Sequence, residues 1–204
     1  MHFDLPTLIK TFGYPLVWGI VFAESGLLVG FLLPGDSLLF VAGFLCSLPK
    51  TGLDIQVMAF GCFAFAVLGD SVGYYTGKRF GRKLFDKEDS KFFKKKHLIA
   101  AEDFFARQGK TAIIFARFMP FIRTFAPIVA GIAAMRYRTF MQYNVIGGFF
   151  WAIGLTLLGY FLGKSIPESQ INKYLIPIVL GIMFISLAPS IFHILKAKQS
   201  RKGE

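Results

Sequence analysis

The chain has 204 residues, 54% of them hydrophobic and 17% charged, with a formal net charge of +11. So apolar a composition, with uncharged windows such as 175–195, excludes an ordinary soluble domain, which interrupts its apolar runs with charges every few residues. Lys and Arg concentrate at 78–110 and 196–202, beside apolar segments; this is the pattern of cytoplasmic membrane flanks, and no nucleic-acid partner is expected.

The first apolar region runs from Tyr14 to Leu45. Its opening stretch to Leu33 is too long for a signal peptide, is preceded mainly by Lys10 and lacks a small-residue cleavage site, so it reads as part of the mature fold. Pro34 lacks an amide hydrogen and disfavours helix at Leu33, Gly35 permits a positive φ, and Asp36 can cap a new helix. The chain is predicted to break there. The dozen residues that follow make roughly 18 Å of helix, too short to cross a hydrocarbon core of about 30 Å but long enough to climb back out. Residues 14–48 therefore read as a re-entrant hairpin with Pro34, Gly35 and Asp36 at its tip.

A span is predicted at 55–77, followed by a basic amphipathic connector at 79–110. Residues 78–110 hold eleven Lys or Arg against five acids, and Lys94-Lys95-Lys96 could touch anionic headgroups or form a solvated face. A second interrupted region, 111–135, contains Pro120 and Pro127 with Arg117 and Arg123 between and beside them, and reads as a second re-entrant hairpin. Further spans are predicted at 139–163 and 174–195, the last leading into a basic tail. Irregular backbone at membrane depth is tolerated only where protein or a water-filled cavity satisfies it, so two breaks predict a shared polar cavity.

Three short words recur in the same order. Phe22-Ala23-Glu24 matches Phe115-Ala116-Arg117, Val41-Ala42-Gly43 matches Val129-Ala130-Gly131, and Gly73 to Lys78 matches Gly159 to Lys164. Gly13 and Gly109 precede the two hairpins alike. The fold expected is all-α and polytopic: repeat 1 at 1–78, repeat 2 at 111–164, and a C-terminal span and tail at 165–204. A re-entrant hairpin returns to its own side and one crossing changes sides, so the second copy is inverted, as in many secondary transporters. The basic flanks put the connector and the C-terminus in the cytoplasm.

Glu24 and Asp36 lie in the first hairpin, Arg117 and Arg123 in the second, all among apolar neighbours. A charge at the centre of a membrane helix costs on the order of 2.5–3.5 kcal/mol on insertion scales, so the four require compensation. If the hairpin tips face each other, the acids of one copy meet the arginines of the other in a formally neutral set. Guanidinium forks suit phosphate oxygens, making Arg117 and Arg123 candidate substrate-binding residues; Glu24 and Asp36 are candidates for proton coupling. The alternative is that the same four are permanent pairs that dock the hairpins. Asp70 and Asn144 are candidates to line the cavity or to serve as polar packing sites.

Gly69, Gly73 and Gly77, and likewise Gly159 and Gly163, have the spacing that lets helices approach closely. Cys46 and Cys62 lack C-x-x-C spacing and read as small core residues. No metal motif occurs, His2, His97 and His193 stand away from the embedded charges, and neither a cofactor nor an enzymatic activity is expected.

Taken together, Phe22 and Glu24, the Pro34-Gly35-Asp36 triplet, Gly69-Asp70 through Gly77, and Arg117 through Gly131 resemble the bacterial DedA family, also described as the SNARE-associated or VTT-domain family. The resemblance covers nearly the whole chain. It implies an inner-membrane protein with two opposed re-entrant loops that moves lipids across the bilayer, including recycling of undecaprenyl phosphate. It further implies support of proton-motive-force homeostasis, cell division and resistance to cationic antimicrobials, with activity at the positions of Glu24, Asp36, Arg117 and Arg123. The expected partners are protons and a polyprenyl phosphate or phospholipid, and a homo-oligomer is compatible with the sequence. A proton-coupled transporter of a small ion or osmolyte is the alternative function; a lipid-modifying enzyme or a scaffold protein would be further ones.

Overall fold

The computed structural model of the chain describes residues 5–27, 33, 35–85, 111–118 and 120–166. Pro34, the expected span at 174–195, the basic tail, the three histidines and most of the connector lie outside these residues. All regular structure among the described residues is helical.

Helix α1 covers Leu5–Gly26 and is kinked at Gly13, whose φ of 61° is left-handed. Helix α2, Gly35–Cys46, has eleven of its twelve residues buried, as expected of a helix that is apolar all round. After a 3-10 turn at Pro49–Thr51 comes α3, Ile55–Phe85. It outruns the predicted span because Lys78, Arg79, Arg82 and Lys83 are good helix formers that continue the same helix beyond the apolar stretch.

Helix α4, Ala112–Ala116, is a single short turn, and α5 covers Pro120–Ile132. The second predicted hairpin therefore breaks at Arg117–Phe118, immediately before Pro120, which opens α5 where a missing N–H costs nothing. Pro127, expected with Pro120 to interrupt this region, instead sits inside α5, buried. It offers no N–H to the carbonyl of Arg123 one turn earlier. Helix α5 ends on Ala134, with φ 53° and the Met135 N–H donating to the Ala130 carbonyl at 3.1 Å.

The last described stretch is one long rod: α6 at Tyr137–Gly148, a π-turn at Phe149–Ile153 and α7 at Gly154–Ser165. This rod and Ile55–Gly81 of α3 are long and apolar enough to cross a membrane, matching the first two predicted crossings. At about 1.5 Å per residue, α2 and α5 are too short to do so.

Each short helix packs on the long helix of the opposite half: α2 lies along α7, and α5 along α3. Glycines make both contacts. A Cβ on Gly43 would run into the Thr156 carbonyl and one on Gly159 into the Phe40 carbonyl, while Gly131 meets the Tyr74 carbonyl and Gly77 the Ile128 carbonyl in the same way. The short helices match in these contacts as the sequence words align them, Gly43 with Gly131. The long helices are displaced by four residues, about one turn: Gly77 does what Gly159 does, whereas the words pair Gly73 with Gly159. Glycine at every fourth position makes these registers nearly equivalent.

Large apolar side chains such as Phe60, Phe115, Phe118, Phe150, Leu158 and Phe161 are exposed on the outside, while polar groups concentrate within. That distribution is inverted relative to a water-soluble protein and suits a lipid surround. Cys46 and Cys62 are buried and unlinked.

Candidate functional site

Two glycines, Gly26 at the end of α1 and Gly35 at the start of α2, lie where these helices meet the charges. Helices α1 and α3 touch backbone to backbone at Gly26 and Gly69, where a Cβ on Gly26 would stand 2.8 Å from the Gly69 carbonyl oxygen. Glu24 and Asp70 flank this contact and so project from neighbouring helices. Gly35 starts α2, and its Cβ would collide with the Glu24 carboxylate. Its φ is not positive, so glycine is required here for space, correcting the conformational reason predicted for it.

Arg123, from α5, donates Nη1 to Asp36 Oδ1 and Nη2 to Glu24 Oε1. The arginine, 6% exposed, is thus clamped between both acids of the first hairpin. Arg117, 4% exposed at the C-cap of α4, donates Nη2 to Asp70 Oδ2 of α3 and to Asn144 Oδ1 of α6 at 2.6 Å. Asn144 Nδ2 in turn donates to the Val67 carbonyl at 3.3 Å, which fixes the amide's orientation. Gly147 and Gly148 make room for Arg117: Cβ atoms there would stand 3.0 Å from its Cδ and 3.3 Å from its Cζ.

The structure thus places acids against arginines, but not in the arrangement predicted. Arg117 pairs with Asp70, not with a hairpin acid, and the set gains a third carboxylate. With Glu24, Asp36 and Asp70 against Arg117 and Arg123, the formal charge is −3 + 2 = −1 rather than zero. Where a polar cavity is predicted, the described side chains meet in a cluster that is buried except at Asp36, whose side chain is 17% exposed.

That cluster still has bonding capacity. Glu24 Oε2, Ser37 Oγ, Arg117 Nε, Arg123 Nε and Thr124 Oγ1 are buried without a hydrogen-bond partner among the described residues. Buried polar groups are normally satisfied, so several together mark a place where further oxygens could be bound. Among the described residues no group of His, Cys, Asp and Glu could hold a metal ion.

One participant escaped sequence reading. Trp151, in the π-turn, donates its indole N–H to Asp36 Oδ1 at 2.8 Å. The Arg123 guanidinium carbon lies 4.5 Å from its ring centroid. The available signal was a tryptophan just after Gly147-Gly148 in a span otherwise poor in polar groups.

The VTT domain family model matches residues 33–161. The chain is similar to Protein DedA of Escherichia coli, with 42% identity over 205 residues, covering 98% of this chain and 92% of that protein. It is also similar to uncharacterized membrane proteins of Mycobacterium tuberculosis (45% identity; 90% of this chain, 79% of the relative) and Mycobacterium leprae (44%; 87% and 77%). No solved structure matches the chain.

Proposed function

Because the chain belongs to the VTT-domain (DedA) family of membrane proteins, we propose that it moves a phosphate-bearing lipid across the bacterial inner membrane together with protons. Undecaprenyl phosphate and phospholipids are the cargo candidates. The headgroup passes between two re-entrant hairpins, formed by α1–α2 and α4–α5, while the tail stays in lipid. The protein acts as a carrier and leaves the lipid chemically unchanged.

The observation that carries this reading is the buried cluster around Arg117 and Arg123. Two guanidiniums whose hydrogen-bond partners among the described residues are carboxylates and an amide can exchange those partners for phosphate oxygens, since guanidinium forms bidentate bonds with either anion. The formal excess of one carboxylate gives the proton a reason to take part. A buried set at −1 becomes neutral with one proton, and a monoanionic headgroup entering it calls for one more. Glu24 Oε2, buried and without a hydrogen-bond partner among the described residues, is an acceptor for that proton.

The crossed packing of α2 on α7 and α5 on α3 supports two inverted copies that hold one another's hairpins, and the closed cluster supports an occluded state between two openings. The basic flanks support a cytoplasmic C-terminus.

The test is reconstitution in liposomes with a fluorescent short-chain prenyl phosphate, with and without a pH gradient. Translocation should be accelerated by the gradient and lost in Arg117→Ala and Arg123→Ala. Unchanged activity in Arg117→Ala would refute the phosphate role. Gradient-driven flux of a small anion without lipid movement would instead select the small-ion transporter, and release of the headgroup would select an enzyme.

A further inference from the structure

The second long rod is not a uniform α-helix, because it opens into a π-turn at Phe149–Ile153. A π-turn closes its hydrogen bonds over one residue more than an α-turn, so residues beyond it are rotated by about 100° relative to an unbroken helix. Trp151 stands at the middle of this turn and is 2% exposed.

Its indole touches both halves of the buried cluster. The N–H donates to Asp36 Oδ1, the same oxygen that accepts from Arg123 Nη1. The guanidinium carbons of Arg123 and Arg117 lie 4.5 Å and 5.8 Å from its ring centroid. The two arginines hold different carboxylates, Glu24 and Asp36 on one, Asp70 on the other. What they share is the indole. A buried aromatic face attracts cations, and a close-packed interior has discrete arrangements instead of deforming smoothly, so a shift of the ring at one arginine is felt at the other.

We propose that Trp151, set in place by the π-turn, is the positioning residue that couples the two arginine sites. An anion that draws Arg123 away from Asp36 takes the nearer cation off the indole face and leaves the ring held by Asp36 alone, so the ring shifts and its stacking on Arg117 changes in turn. Relaxing the π-turn to α-helix would swing Trp151 out of the cluster altogether. The anion step rests on the proposed function; the mechanical coupling between Asp36, the indole and Arg117 does not.

The test uses the full chain in nanodiscs. Trp18 is the other of the two tryptophans, and it stacks on Tyr14 and Phe65, so Trp18→Phe keeps the stack and leaves Trp151 as the single reporter. Without ligand, Asp36→Asn and Arg117→Lys should each shift the Trp151 emission, and the shifts should not add in the double variant. Shifts that are absent or strictly additive overturn the coupling whatever any ligand does. The ligand probe is dodecyl phosphate, with inorganic phosphate to separate a lipid headgroup from the free ion and dodecyltrimethylammonium to control for the chain. Dodecyl phosphate should move the emission. If it does not bind the native protein, the phosphate reading fails while the ligand-free result stands.

Trp151→Phe keeps an aromatic face on the guanidiniums and loses the N–H. It should bind dodecyl phosphate within about threefold of native while translocation of the prenyl phosphate slows by about tenfold, a split between binding and turnover that general loss of packing would not produce. Native translocation in Trp151→Phe overturns the proposal.

Discussion

Replacing Arg123 by Gln separates what holds the cluster together from what the cluster is for. The substitution leaves Glu24 and Asp36 side by side in a largely buried site without their cation, with Trp151 still donating to Asp36. Removing one partner of a buried ion pair costs about 3–5 kcal/mol, and Arg123 serves two carboxylates and stacks on an indole, so the upper end applies. For a chain of this size each kcal/mol moves the melting midpoint by about 2–4 °C, which gives a fall of roughly 10–20 °C. Adding Glu24→Gln and Asp36→Asn removes the stranded charge, and replacing all members of a buried charge set by neutral groups is often close to neutral; the triple variant should recover to within about 2 kcal/mol of native. Thermal unfolding of the purified protein, followed by its tryptophan emission, measures both steps. Translocation should be absent in the single and the triple variant alike. A single variant that melts with the native protein, or a triple variant that melts no higher than the single one, would show that the electrostatic account of the cluster is wrong.

Other outcomes follow from the same geometry. Glu24→Gln brings the set to formal neutrality without breaking the Asp36–Arg123 pair, so the protein should stay folded while the acceleration of translocation by a pH gradient disappears; persistence of that acceleration removes Glu24 from proton coupling. Asn144→Asp adds a fourth carboxylate against the Arg117 guanidinium, which competes with and repels a bound anion, so dodecyl phosphate should bind more weakly and leave faster, measured as a raised off-rate. Gly43→Val and Gly131→Val each force apart a helix pair that meets at backbone, and each should cost about 1–3 kcal/mol or more in thermal stability, by similar amounts. Ala134→Gly relieves a left-handed alanine where α5 ends and should raise stability by about 1 kcal/mol.

Much of the architecture could be read from residues whose chemistry is local. The run of apolar residues from Ile55, the restart at Gly35 and the break ahead of Pro120 each depend on hydrogen bonding or transfer free energy within a few positions, and α2, α3 and α5 begin close to where those residues place them. Pro127 misled because a proline inside an apolar window looks like a terminator. Packed against α3 near Gly73, it is tolerated within the helix, since neighbouring helices can offset a lost hydrogen bond. Gly35 was identified as special for the wrong reason: a glycine in sequence announces either backbone freedom or lack of bulk, and only the neighbouring Glu24 carboxylate decides between them.

The partners of the charges were legible only in kind. That buried acids must meet buried arginines follows from desolvation, but which acid meets which arginine depends on helix register, and register here is carried by glycines spaced so regularly that a shift of one turn preserves the pattern. The sequence words align Gly73 with Gly159, whereas the contacts equate Gly77 with Gly159. Asp70 lies one residue from Gly69, whose close approach to α1 brings it beside the cluster, so its membership is a consequence of packing and not of the hairpin motif. Trp151 depends on a still finer feature, the extra residue of the π-turn, without which the same tryptophan would face elsewhere. The net charge of the site, −1 instead of zero, is therefore a tertiary property. It arises because the long helix α3 supplies the third carboxylate, and under the proposed function that odd carboxylate ties proton uptake to anion entry.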